Sequence, residues 1–279
     1  MELLNFILNL AALFLWLNWR EARRMRKRSR YAQLLTRVTN TFSPWNWQHS
    51  SLLFLGLILS LRALLYLQLA QIIDWIPVLN AGPVSLPFRA DYYFRLAIYS
   101  FLDFFWFFLS AYSIFLLLSA LNEKKADTNP ILKFIRSELG FLERWPASLK
   151  ITVPFLIAFL FWFALSALLT ELGIVPNLQS HSLRAQFSLI LALSLLFAWR
   201  LFLLALFALD FVQNHVYLGR SPLWEFIHHT SRTLLQPVRV LPTKVQGIDF
   251  APLLGIVFTL ALTALGQRLL LAWYSRLQF

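Results

Sequence analysis

The chain has no cysteine at all. Disulfides, thiolate nucleophiles, thiol redox chemistry and cysteine-ligated metals are therefore excluded from the start. Charge is also scarce, at 14% of 279 residues, against about 25% in an ordinary soluble domain. Acidic residues are the scarcer sign, 13 against 25 Lys and Arg, for a formal net charge of +12. What fills the space is apolar: 59% hydrophobic residues, 27 Phe and 11 Trp, with a mean hydropathy of +0.63. Such a chain is not disordered, and so much apolar surface needs a solvent other than water. The aromatic content suits a lipid-facing protein with interfacial anchors.

Motifs that carry chemistry are missing too. There is no Walker loop, no Gly-x-Ser-x-Gly, no His-Glu-x-x-His and no cluster of carboxylates. The five histidines, His49, His181, His215, His228 and His229, are scattered, and none sits at mid-span facing another as a bis-histidine haem requires. We therefore expect no enzyme activity, no catalytic residues, no cofactor and no metal. Nucleic acid is not an expected partner, because no recognition fold accompanies the positive charge.

A spanning helix needs about 20 mostly apolar residues. Six runs qualify or come close: Leu3 to Trp19, Ser51 to Gln71, Tyr92 to Leu121, Ala147 to Leu172, Ala185 to Phe211 and Phe250 to Leu271. Lipid cannot satisfy free backbone groups, so helices or closed barrels are the only options. Runs such as Phe187 to Leu209 do not alternate as barrel strands do, which leaves an all-α polytopic membrane protein with the bilayer as its first partner. Basic residues follow the first run rather than precede it (Arg20, Arg23, Arg24, Arg26, Lys27, Arg28, Arg30), so it reads as a retained anchor and not a secretory signal. This cluster is stop-transfer charge that also suits anionic lipid.

Charge then orients the spans. Loops 20–50, 122–146 and 212–249 hold 17 Lys and Arg, whereas 72–91, 173–184 and 272–279 hold 3. The positive-inside rule places the rich loops in the cytoplasm and both termini outside.

Two of the cytoplasmic loops resemble each other. Asn129-Pro130-Ile131-Leu132-Lys133-Phe134-Ile135 aligns with Ser221-Pro222-Leu223-Trp224-Glu225-Phe226-Ile227, 92 residues on. Asn129 and Ser221 are placed as N-caps, with proline in the first helical position. The last four spans thus read as two parallel helix–loop–helix repeats, 92–172 and 173–279, preceded by a two-helix segment, 1–91. In the second loop Leu223, Trp224, Phe226, Ile227, Leu234 and Leu235 form an apolar side, and His228, His229, Ser231 and Arg232 the expected wet side. Such a helix lies in the headgroup region, against a partner or on the protein's own spans.

The most distinctive string is Leu235-Gln236-Pro237-Val238-Arg239-Val240-Leu241-Pro242, then Gly247-Ile248-Asp249-Phe250-Ala251-Pro252. Pro237 and Pro242 forbid helix continuation, and Gly247 permits a turn. Asp249 is placed to cap the last span by accepting the Ala251 N–H, and Pro252 is tolerated in its first turn. With Arg200 in the preceding span, this segment resembles the signature of the YggT family of small bacterial and plastid membrane proteins. In that family an arginine-bearing span is followed by a Pro-x-x-Arg-x-x-x-Pro loop and a Gly-Ile/Leu-Asp-Leu-Ser-Pro lead into the next span. Here Phe250-Ala251 stands where Leu-Ser is usual, and the Pro237–Pro242 interval is two residues shorter, one on each side of Arg239. The match extends over Leu195 to Leu262; the first repeat is degenerate, with Phe108 at the place of Arg200. The resemblance implies a multi-pass protein of the bacterial cytoplasmic membrane. Its members are linked to osmotic tolerance, to division or envelope organisation and, in plastids, to haem attachment during cytochrome complex assembly. It brings no enzymatic activity. Gln236, Pro237, Arg239, Pro242, Gly247, Asp249 and Pro252 become candidates for docking a membrane-protein partner or a second copy of the chain.

Charges inside the spans are the other candidates. Arg95, Asp210, Lys150 and Arg268 lie near span ends and can snorkel. Arg62, Asp103 and Arg200 are deeper. Arg62 is nine residues before the outer end of its span and Asp103 eleven after the outer start of the next, a depth difference of roughly 3 Å. An Arg62–Asp103 pair is expected, with Arg200 sharing it or bonding backbone carbonyls. It serves as a structural clamp or, alternatively, as part of a solute or ion path.

Overall fold

The computed structural model describes residues 2–35, 47–73, 75–123, 129–175, 180–216, 219, 221–236, 244–245 and 248–277. The protein is almost entirely helical. Its long helices are α1 (Glu2–Leu35), α2 (Trp47–Ile73), α3 (Tyr93–Leu121), α5 (Ala147–Glu171), α6 and α7 (His181–Ser194 and Ala198–His215) and α9 (Ala251–Ser275). Two shorter helices, α4 (Pro130–Leu139) and α8 (Pro222–Leu234), follow α3 and α7. Six helical stretches are long and apolar enough to cross a membrane, at the six places the hydropathy indicates. This is a multi-pass membrane protein. Two short antiparallel ribbons complete it: β1 (Val78–Ala81) with β2 (Val84–Pro87), and β3 (Lys244–Val245) with β4 (Ile248–Asp249).

Two compact units divide the chain: residues 1–79 with 87–108, and residues 80–86 with 109–279. In the first, α1 packs along α2, and the first half of α3 completes the bundle. The candidate span of α1 ends at Glu21 and the helix continues to Leu35, so the arginine-rich segment is helical and lies beyond the span. Arg23 lies over the Trp19 ring, 5.3 Å from its centroid, a cation–π contact near the end of the candidate span.

In the second unit the fifth span is not one helix. A 3-10 turn, Leu195–Phe197, separates α6 from α7. Ser194 bonds back to the Leu191 carbonyl at 2.6 Å, which loosens the helical ladder there. The tip of the β1–β2 ribbon presses on the same spot. A Cβ at Gly82 would stand 2.7 Å from Phe197 Cδ2 and 2.8 Å from Ser194 Cβ, and Gly82 has φ of 62°, so only glycine fits. Helices α7 and α9 pack closely in the same way: a Cβ at Gly255 would meet Leu235 Cδ2 at 2.6 Å and Phe207 Cδ2 at 3.1 Å. Phe207, Leu235 and Ala251 form the core beneath.

Helices α4 and α8 start alike. Asn129 Oδ1 accepts the Ile131 N–H at 3.0 Å and Ser221 Oγ the Trp224 N–H at 3.5 Å, each with proline following. Their N-termini also meet, since Asn129 Nδ2 donates to the Pro222 carbonyl at 2.7 Å. Pro154 is placed differently from Pro252. It lies inside α5, buried, whereas Pro252 stands in the first turn of α9. In α5 the start is made one turn and more earlier, at Pro146 and Ala147.

Candidate functional site

Three helices of the first unit each place a polar pair four residues apart on one face: Asn5 and Asn9 on α1, Arg62 and Tyr66 on α2, Tyr99 and Asp103 on α3. The i, i+4 spacing stacks each pair on one side of its helix. The three pairs close on one another. Arg62 donates through Nε to Tyr66 Oη, through Nη1 to Asn9 Oδ1 at 2.6 Å and through Nη2 to Asp103 Oδ2. Asn9 Nδ2 donates to the same Asp103 oxygen at 2.8 Å. Tyr66 passes its hydroxyl proton toward Asn5 Oδ1, and Asn5 Nδ2 donates to Tyr99 Oη at 3.2 Å. The guanidinium also lies over the Tyr66 and Tyr99 rings, 5.2 and 5.8 Å from their centroids.

Arg62, Tyr66 and Tyr99 are fully buried. A lone arginine there would be costly, and one carboxylate with two neutral acceptors occupies all three of its nitrogens. Asp103 differs: its side chain keeps 19% of its surface open. Chemically this is a neutral ion pair fixed in orientation. It holds no nucleophile and leaves one carboxylate face as an acceptor.

The structure thus brings Arg62 and Asp103 together, with Asn5, Asn9, Tyr66 and Tyr99 as partners that hydropathy alone does not reveal. Arg200 belongs to the second unit, where its Nε is buried without a hydrogen-bond partner among the described residues.

Two further polar clusters lie in the second unit. Asp210 does not snorkel. It is fully buried, accepting from Ser231 Oγ at 2.7 Å and pairing with His228 Nδ1 at 2.8 Å. The expected division of α8 holds in part: Phe226, Ile227 and Leu235 are buried and Arg232 is exposed, but Ser231 of the wet side is buried beside Thr230, and Leu223 of the apolar side is exposed. His229 Nδ1 is 3.1 Å from Asn122 Oδ1, and Asn122 Nδ2 donates to Thr230 Oγ1 at 3.3 Å. Lys150 does not snorkel either. It is buried with Nζ 3.4 Å from Glu143 Oε1, a carboxylate that Arg136 approaches to 3.2 Å and to which Ser119 donates. Among the described residues no group of three or more His, Asp or Glu is arranged to hold a metal ion.

In the segment that carries the family resemblance, Gln236 ends α8 with an exposed side chain and Pro252 is buried in the first turn of α9. Pro237, Arg239, Pro242 and Gly247 lie outside the described residues. Asp249 pairs with Lys244 across the β3–β4 ribbon, and its Oδ1 accepts the Ala251 N–H at 3.0 Å. The cap position itself is Phe250, one residue later than the sequence indicates, so Asp249 holds the first turn from just outside the helix. Replacing Asp249 with alanine should therefore lower stability in detergent by about 0.5–2 kcal/mol, and asparagine, an equal acceptor, should preserve it. Thermal unfolding of the two variants side by side checks this.

No protein-family model, curated protein or solved structure matches the chain.

Proposed function

We propose that the protein is a non-enzymatic scaffold or assembly factor of YggT type in the bacterial cytoplasmic membrane, with both termini outside. It would serve envelope organisation, stress tolerance or the building of a membrane complex. The observation that carries this reading is the engagement of Arg62: each of its three nitrogens donates a bond within the chain. Charge spent in this way locks helices and occupies that cation rather than offering it to a passing solute. The charge asymmetry of the loops supports the orientation. Shared capping of α4 and α8 supports two parallel repeats. The partner is a membrane protein or a second copy of the chain, docked near the Gln236–Pro252 segment.

A second reading, a component of a solute or ion path tied to osmotic tolerance, draws on the open face of Asp103. Flux measurements separate the two. Proteoliposomes are loaded with potassium, protons or a zwitterionic osmolyte and compared with protein-free vesicles. The scaffold reading expects equal leakage, together with a co-purifying partner that is lost when residues 247–249 are deleted. Flux abolished by Asp103→Asn would establish the second reading instead.

A further inference from the structure

Helix α4 and the 3-10 turn after it, Gly140–Arg144, expose large apolar side chains at the end of the bundle where α3 stops and α5 begins. Phe134 is 48% exposed and Phe141 70%. Phe134 packs edge-on against Phe115 of α3, with centroids 6.3 Å apart. Phe115 lies six residues before the end of a candidate span, about 9 Å inside that end. So α4 stands close enough to the span for the Phe134 ring to reach a residue well inside its end. Phe141 in turn packs on Trp145 at 5.8 Å, and the apolar surface continues into the first turns of α5 through exposed Leu149 and Ile151. These last two residues lie within a candidate span, where exposed means facing lipid.

Cations border these rings. Lys133, next to Phe134 and so about a quarter-turn round the helix, is exposed, as is Arg144, three residues after Phe141 and so on the same side of the 3-10 turn. The buried side, Leu132, Ile135, Glu138 and Leu139, is turned into the protein. A segment with its inner side on the bundle and exposed aromatic rings bordered by long cationic side chains has the distribution of an element lying in a membrane interface.

We propose that Pro130–Arg144 is a lipid-contact surface in its own right. It lies in the headgroup region of the leaflet at which α3 ends, with Phe134 and Phe141 at the acyl boundary and Lys133 and Arg144 on phospholipid phosphates. The occupant of this surface is the bilayer, not a protein. The assignment does not depend on which side of the membrane that leaflet faces.

The cysteine-free chain makes the test direct. Single variants Lys133→Cys, Phe141→Cys and, as a lipid reference on the exposed flank of α5, Leu156→Cys are labelled with a nitroxide. They are placed in nanodiscs of phosphatidylethanolamine and phosphatidylglycerol. All three positions are exposed, and the one ring contact given up, Phe141 on Trp145, lies at the surface. Power saturation compares collision with oxygen, which partitions into lipid, and with a water-soluble nickel chelate. The label at 141 should favour oxygen several-fold, as the label at 156 does, and the label at 133 should favour nickel. A label at 141 that favours nickel overturns the proposal, because the segment then lies in water. A label at 141 shielded from both reagents overturns it as well, in favour of a second copy covering the face.

Discussion

Asp103→Leu should be the most damaging single substitution in the first unit, and adding Arg62→Leu to it should restore most of what is lost. Arg62 is 1% exposed and its side chain cannot reach solvent, so removing its counter-charge strands a cation among apolar helices. Breaking a buried pair from one side costs about 3–5 kcal/mol, whereas replacing both partners by apolar groups is near neutral. Losing the neutral bonds matters less. Interhelical hydrogen bonds in membranes average about 0.6 kcal/mol, so Asn5, Asn9 and Tyr66 together weigh less than the ion pair. The cycle should also be asymmetric. Arg62→Leu leaves behind Asp103, whose side chain is 19% open and can be hydrated, so this variant should lose less than Asp103→Leu. Unfolding of the four proteins in one detergent measures the coupling. Additive losses in the double variant would show that the two charges do not depend on each other.

The pairing of Arg62 with Asp103 is legible in the sequence because ionised groups deep in lipid must find partners, and depth follows from counting along two helices. Asn5, Asn9, Tyr66 and Tyr99 are not conspicuous in the same way, since a single amide or phenol costs little in an apolar run. Their signal is the repetition of an i, i+4 polar pair on three successive spans. The six spans follow from hydropathy, which averages over a window and is therefore blind to the interruption at Leu195–Phe197. That break is made by Ser194 and by a glycine tip arriving from residues 80–86, a contact far apart in sequence. Lys150 and Asp210 were expected at the water boundary because each lies near a span end. Each is drawn inward by a partner on a later or earlier element, Glu143 on the 3-10 turn and His228 with Ser231 on α8. A helix's own periodicity tells which residues share a side. It does not tell what the neighbouring helix presents to that side.

Asp210 gives the second large effect. Its carboxylate is wholly buried and holds α8 on α7 by two bonds, from His228 Nδ1 at 2.8 Å and Ser231 Oγ at 2.7 Å. Hydrogen bonds to a charged group contribute about 1.5–3 kcal/mol each, and a buried donor left without its acceptor adds a penalty of its own. Asp210→Ala should therefore cost about 3–6 kcal/mol. The loss should be local, because Phe207, Leu235 and Ala251 still hold the end of α8 against α7 and α9. Hydrogen exchange resolves this: amides of 222–234 should lose protection while those of 251–275 keep theirs. Asp210→Asn keeps one oxygen acceptor of the same shape and should fall between the two, and Ser231→Ala, which removes one donor from an otherwise paired carboxylate, should be milder than alanine at 210. Unchanged protection of α8 in Asp210→Ala would mean that its apolar contacts alone seat the helix, and that the inward turn of Thr230 and Ser231 is a consequence of packing and not its cause.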